Sequence, residues 1–194
     1  MKLYTVGILG ATGAVGQEMM RILEERDFPV GKLVPLASAR SVGKTVKFKG
    51  QDVAIELACD EAFEGIDIVL GAAENDIAER FAPAIVKAGA VFVDNSSAFR
   101  LNPDVPLVVP EINPDDAKKH KGIISNPNCS TIITCTAVNA LNAISPSRAW
   151  WPPPTRPSPV PVSPVWQNLK TRSPLCWRAS PPRSRPLPTR SPTI

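Results

Sequence analysis

The sequence predicts an α/β fold built on a doubly wound, parallel sheet, and three observations carry that prediction. Short apolar, β-rich runs recur near 3–9, 32–37, 67–71, 90–94 and 122–125. Helical periodicity fills two of the gaps, near 14–26 and 76–88. The first strand-to-helix junction is rich in glycine. Strands that alternate with helices pair in parallel, because each helix is the crossover that returns the chain to the same edge of the sheet. A sixth strand near 52–57 and a third helix near 129–142 complete the pattern. At 194 residues, one domain or two small ones are expected.

The first unit carries the clearest chemistry. Tyr4 to Leu9 is followed by Gly10-Ala11-Thr12-Gly13-Ala14-Val15-Gly16, and then by the helical pattern of Met19, Met20, Ile22 and Leu23. Glycines at such a junction allow a tight turn and close approach of the backbone to a pyrophosphate, which the next helix N-terminus attracts. The spacing is G-x-x-G-x-x-G, not the commoner G-x-G-x-x-G, and a structural turn is the alternative. In this strand-and-helix setting the motif points to a Rossmann-type dinucleotide site. The second strand runs into Ala37-Ser38-Ala39-Arg40-Ser41. An NAD-preferring fold places an acid there for the ribose 2′-hydroxyl, whereas Ser38, Arg40 and Ser41 suit a 2′-phosphate. NADP(H) is therefore the expected cofactor, the alternative being an ordinary solvated arginine.

The third helix opens on Asn126-Pro127-Asn128-Cys129-Ser130-Thr131. A thiol in the first turn of a helix faces unsatisfied N–H groups and the positive end of the dipole, which favour the thiolate, the nucleophilic form. Cys129 is the candidate nucleophile; the competing reading is a buried cysteine acting as a small hydrophobe. Cys59, Cys129, Cys135 and Cys176 have neither metal-ligand spacing nor a secreted disulfide pattern, so no metal is expected, and Cys135 fits helix packing.

Gly10 to Gly16, Leu36 to Ser41, Asn95-Ser96-Ser97-Ala98-Phe99-Arg100, Val109-Pro110-Glu111-Ile112-Asn113 and Asn126 to Thr131 together resemble the aspartate-semialdehyde dehydrogenases, in order and spacing, over residues 1 to 146. The N-acetyl-glutamyl-phosphate reductases share the fold and chemistry but usually carry a His-Pro-Gly-Cys type motif, so the cysteine segment favours the aspartate family. One departure is Gly71-Ala72-Ala73-Glu74-Asn75, where the family usually has small residues and serine near the nicotinamide. The resemblance implies that Cys129 attacks the acyl phosphate of L-aspartyl-4-phosphate, that phosphate leaves, and that NADPH reduces the thioester to aspartate semialdehyde. This reaction feeds lysine, threonine, methionine and diaminopimelate biosynthesis. It further implies a homodimer, and phosphate-holding roles for Arg100 and Asn128. For Arg100 the guanidinium fork matches phosphate oxygens, with a structural ion pair as the alternative.

The chain then changes character. Residues 1 to 146 hold all eighteen acidic residues and are net −4, while residues 147 to 194 are +8 with no acid. All four tryptophans and thirteen of the twenty-two prolines also lie beyond 146. Such a segment reads as disordered, with PxxP matches such as Pro154 to Pro157 suited to docking a partner. A sharper expectation is an out-of-frame translation. Loss of one base at the codon of Pro146 yields Ser-Pro-Ser-Arg-Ala-Trp, and the neighbouring frame permits STYQAVSGAG, a segment the resembled family carries after its cysteine helix. The expected organisation is a cofactor domain over 1–128, the first helix of a catalytic α+β domain over 129–146, and a scrambled tail over 147–194.

On that reading the chain is inactive as written, because the family's acid/base histidine, its Thr-Tyr-Gln glutamine and its substrate-carboxylate arginine all follow the cysteine. His120 is the only histidine and sits in a charged run, Asp115 to Lys121, where a surface residue is expected. Ile132, Ile133, Val138 and Leu141 are expected to lie exposed. The alternative function is a non-catalytic scaffold with a Pro/Arg docking tail. No leader or twenty-residue apolar stretch is present, so a cytoplasmic protein with neither a membrane nor a nucleic-acid partner is expected.

Overall fold

The structure, a computed structural model, describes residues 2–144. The expectations for 147–194 lie outside the described residues. Among the described residues, eight strands and three α-helices follow one another: β1 (Tyr4–Leu9), α1 (Ala14–Glu25), β2 (Val30–Ala37), β3 (Thr45–Phe48), β4 (Gln51–Ala54), β5 (Glu56–Leu57), β6 (Ile68–Gly71), α2 (Asn75–Lys87), β7 (Val91–Asp94), β8 (Ile123–Ser125) and α3 (Cys129–Ile144). Six strands form one parallel sheet in the order β5-β2-β1-β6-β7-β8. The chain leaves β1 toward β2 on one side and returns to β6 on the other. Strand order therefore reverses beside β1, and such a switch point, at the carboxyl ends of the strands, is where open α/β sheets bind their ligands.

Alternation along β1 builds both faces of the sheet. Val6 and Ile8 join Met20 of α1, Val30, Leu33 and Phe48 in one core cluster. Leu9 joins Val34, Leu36, Phe63, Val69, Phe81, Ile85 and Phe92 in the other. The second cluster explains why α2 runs through Pro83. The proline lacks an N–H and forfeits one intrahelical bond, but Ala78, Phe81, Ala82 and Ile85 keep the helix seated on the sheet by burying a stripe at i, i+3, i+4 and i+7.

Two expectations need correction. The run 52–57 is two strands, because Ile55 turns its backbone to donate to the Lys44 carbonyl (2.9 Å). Before it, β4 pairs antiparallel with β3 as a hairpin outside the main sheet. On α3, only part of the apolar face is open. Ile133 and Leu141 are 72% and 66% exposed, but Ile132 and Val138 are half-buried beside buried Thr131 and Cys135. The helix thus rests on the domain with one stripe and leaves another open.

Candidate active site

The glycine turn is fixed by what surrounds it. Gly10 and Ala11 both donate to the Leu36 carbonyl at the end of β2 (2.9 and 3.2 Å). Gly10 has φ +92°, and a Cβ there would stand 2.8 Å from the Ala72 carbonyl oxygen, so only glycine fits. A Cβ on Gly16 would stand 2.5 Å from the Gly10 oxygen. Gly13 differs, since the nearest atom to its Cβ would be the Gly10 oxygen at 3.5 Å, an ordinary contact. Space lies open over Gly13, which caps α1 with extended backbone and no side-chain hydrogen bond. The first turn of α1 carries no acid, and Thr12, Ala14 and Val15 are exposed around it. An open glycine at an uncapped helix start fits a dinucleotide's pyrophosphate.

Beyond β2, Ser38 leads into a single 3-10 turn, Ala39–Ser41, closed by the Ser41 amide donating to the Ser38 carbonyl (2.9 Å). Ser38 and Arg40 are exposed and Ser41 is half-buried. The turn starts three residues after Leu36, whose carbonyl holds the glycine loop, so the expected cofactor residues gather on one edge.

The second group collects where β7 and β8 end side by side, Asp94 in register with Ser125. Asp94 is fully buried, and its carboxylate accepts from the Ser96 amide (3.0 Å) and hydroxyl (2.6 Å). Arg100 reaches back across this loop. Its Nε donates to the Asn126 carbonyl (3.0 Å) and its Nη2 to the Asn95 carbonyl (2.9 Å). Burial pushes the guanidinium below its usual pKa range, while Asp94 and Cys129 act in the opposite direction. Among the described residues the Cys129 sulfur is exposed, at the first position of α3, and donates weakly to Asn128 Oδ1 (3.8 Å).

Asn128 is the cap of α3. Its Oδ1 accepts from the Ser130 amide (3.0 Å) and its carbonyl from the Ile132 amide (3.0 Å). The sequence reading singled out Asn128 for phosphate and missed this local task. It also missed two side-chain pairs. Asn126 Nδ2 donates to Asn95 Oδ1 (2.8 Å), and Asn75 at the start of α2 receives the Ser97 amide (2.9 Å) and donates to its hydroxyl (2.8 Å). Within 71–75, packing requires the first residue to be small: a Cβ on Gly71 would lie 2.8 Å from Phe92. His120 is half-buried, and its Nδ1 accepts from the Gly122 amide two residues on (3.0 Å). Among the described residues no group of three or more His, Cys, Asp or Glu could hold a metal, and no helix is long and apolar enough to cross a membrane.

The family model described as "Semialdehyde dehydrogenase, NAD binding domain" matches residues 5–120. An aspartate-semialdehyde dehydrogenase of Synechocystis sp. is 53% identical over 141 residues, 73% of this chain and 42% of the relative. Among solved structures, aspartate semialdehyde dehydrogenase II of Vibrio cholerae, complexed with ASA, has a TM-score of 0.71 and 42% identity over 73% of this chain and 47% of that one. The Candida albicans enzyme with NADP has a TM-score of 0.61 and 28% identity over 75% of this chain and 48% of that one. The chain thus spans less than half the length of these relatives. Parallel sheet, open glycine turn and matched sequence agree: the chain belongs to the semialdehyde dehydrogenase family through its nicotinamide-dinucleotide-binding domain, and over that part it resembles the aspartate-semialdehyde dehydrogenases.

Proposed function

We propose that this chain carries the cofactor-binding half and the nucleophile of an NADP-dependent, phosphorylating aspartate-semialdehyde dehydrogenase. The observation that carries this reading is Cys129: an exposed thiol at the first position of a capped helix, three residues after Asn126, whose carbonyl accepts from Arg100 Nε (3.0 Å). Gly10 to Gly16 receive the pyrophosphate, and Ser38, Arg40 and Ser41 receive the 2′-phosphate of NADP(H). The Cys129 thiolate attacks the acyl carbon of L-aspartyl-4-phosphate, and phosphate leaves with the bonding electron pair, so one hard displacement is divided into two easier steps. Arg100 and Asn128 help to hold that phosphate. NADPH, when bound, supplies the hydride that reduces the thioester.

The division into a cofactor domain (1–128), the first catalytic helix (129–146) and an out-of-frame tail (147–194) belongs to the same proposal. More than half the length of the matched relatives lies outside the matched part, and Ile133 and Leu141 offer an apolar stripe for that remainder and for a second subunit. Written as it stands, the chain turns over no substrate, and the intact enzyme is a cytoplasmic homodimer.

The test is to resequence the coding DNA across Ser145 to Trp151, restore one base at the codon of Pro146, and assay the product. Phosphate-dependent reduction of NADP with aspartate semialdehyde is the expected activity. An inactive product, or one active only with a different semialdehyde, would overturn the reading.

A further inference from the structure

The loops after β7 and β8 are joined by a closed ring of hydrogen bonds. Asn126 continues the sheet by one bond, its amide donating to the Asp94 carbonyl (2.8 Å). Its side chain then donates to Asn95 Oδ1 (2.8 Å). The same two residues offer their carbonyls to one guanidinium, Asn95 to Arg100 Nη2 and Asn126 to Arg100 Nε. Only Pro127 and Asn128 separate this ring from Cys129. Pro127 is fully buried and its φ is locked, so a shift of Asn126 passes to the helix start with little slack. Neither asparagine touches the Cys129 sulfur among the described contacts, whose weak acceptor is Asn128.

We propose that Asn95 and Asn126 form a positioning clamp, fixing Arg100 and, through Pro127, the start of α3 and its first residue, Cys129. The proposal rests on the reading of Cys129 as an activated nucleophile. A pair held at 2.8 Å and tied to the same guanidinium loses its geometry as a unit, so its effects on the thiol are expected to be non-additive.

The test uses the 194-residue chain and follows iodoacetamide modification at neutral pH, resolved by peptide mass spectrometry. Cys135, which is buried, serves in the same sample as the sign that the fold is intact. Asn95→Asp keeps the acceptor for the Asn126 amide, whereas Asn126→Asp removes the donor and sets two oxygens against each other. Both add one negative charge at the same place, so their difference isolates the hydrogen bond. Cys129 should slow by about tenfold more in Asn126→Asp than in Asn95→Asp, the scale of one hydrogen bond lost to an unsatisfied partner. Asn95→Ala and Asn126→Ala should each slow it, and the double variant should be no slower than the worse single one.

Equal rates in the two Asp variants, the reverse order, or additive Ala variants would overturn the clamp while leaving Cys129 as nucleophile. Loss of Cys135 protection in every variant would also overturn it, making the pair a brace for the whole fold. A Cys129 in the unsubstituted chain no faster than a free model thiol would overturn the clamp together with the nucleophile reading.

Discussion

Gly10 and Gly16 meet so closely that a Cβ on Gly16 would stand 2.5 Å from the Gly10 carbonyl oxygen and 2.9 Å from Ala11 Cα. The neighbours are backbone, so nothing flexible can yield. Gly13, midway between them, meets no such obstacle. The three glycines of one motif therefore divide into two that shape the turn and one that leaves room above it.

The first prediction follows from that division. Gly16→Ala should destabilise the domain by about 1–3 kcal/mol, as overpacking does, visible as a lower denaturation midpoint. Gly13→Ala should leave the midpoint within about 0.5 kcal/mol yet weaken NADPH binding at least about tenfold, because the added methyl occupies the open space over the helix start. An equal loss of stability in both variants would remove the distinction.

Arg40 is exposed on the turn after β2, and its side chain makes no hydrogen bond or ion pair with another of the described residues. Arg40→Ala should weaken NADPH binding by about tenfold or more, the value of a charge-assisted contact to phosphate, and leave NADH binding nearly unchanged. A parallel loss for both cofactors would count against a 2′-phosphate site.

Asn128 has a structural task whatever its role toward substrate. Asn128→Ala removes the acceptor of the Ser130 amide and should cost about 1 kcal/mol of stability. Amide hydrogen exchange at Ser130 should accelerate while exchange in β1 stays slow. Asn128→Asp, which keeps the cap oxygen, should restore the protection.

Phe92 is fully buried and packs edge-on to Phe99 at 6.4 Å between ring centroids. Phe92→Ala should cost about 3–5 kcal/mol, the largest single-site loss of those named here, read from urea denaturation. Its position one step from Gly71 also means that Gly71→Ala must displace the ring.

The parts of this fold written in local pattern were legible in the sequence. Strands β1, β2, β6, β7 and β8 are apolar runs with their own punctuation, and α1 and α2 carry clear stripes, so the parallel sheet followed from alternation alone. The hairpin was missed because Thr45–Phe48 and Gln51–Ala54 are short, mostly polar on the surface, and stabilised by packing Val46, Phe48 and Val53 against the α1 side of the sheet. The candidate site was half legible. Cys129, Arg100 and the glycine turn stand in recognisable motifs, whereas Asn95 and Asn126 are 31 residues apart and meet only because Asp94 and Ser125 end neighbouring strands in register. At His120 the charged neighbours describe a surface, and the hydrogen bond from the Gly122 amide to its ring is a local turn that they do not announce.

The most direct test of the central claim is an equilibrium titration of the 194-residue chain with NADPH and, separately, with NADH, followed by calorimetry at fixed ionic strength. One site per chain with NADPH bound at least about tenfold more tightly than NADH, a difference of about 1.4 kcal/mol, is the result the account predicts. A folded chain that binds neither dinucleotide, or binds NADH more tightly, would contradict it.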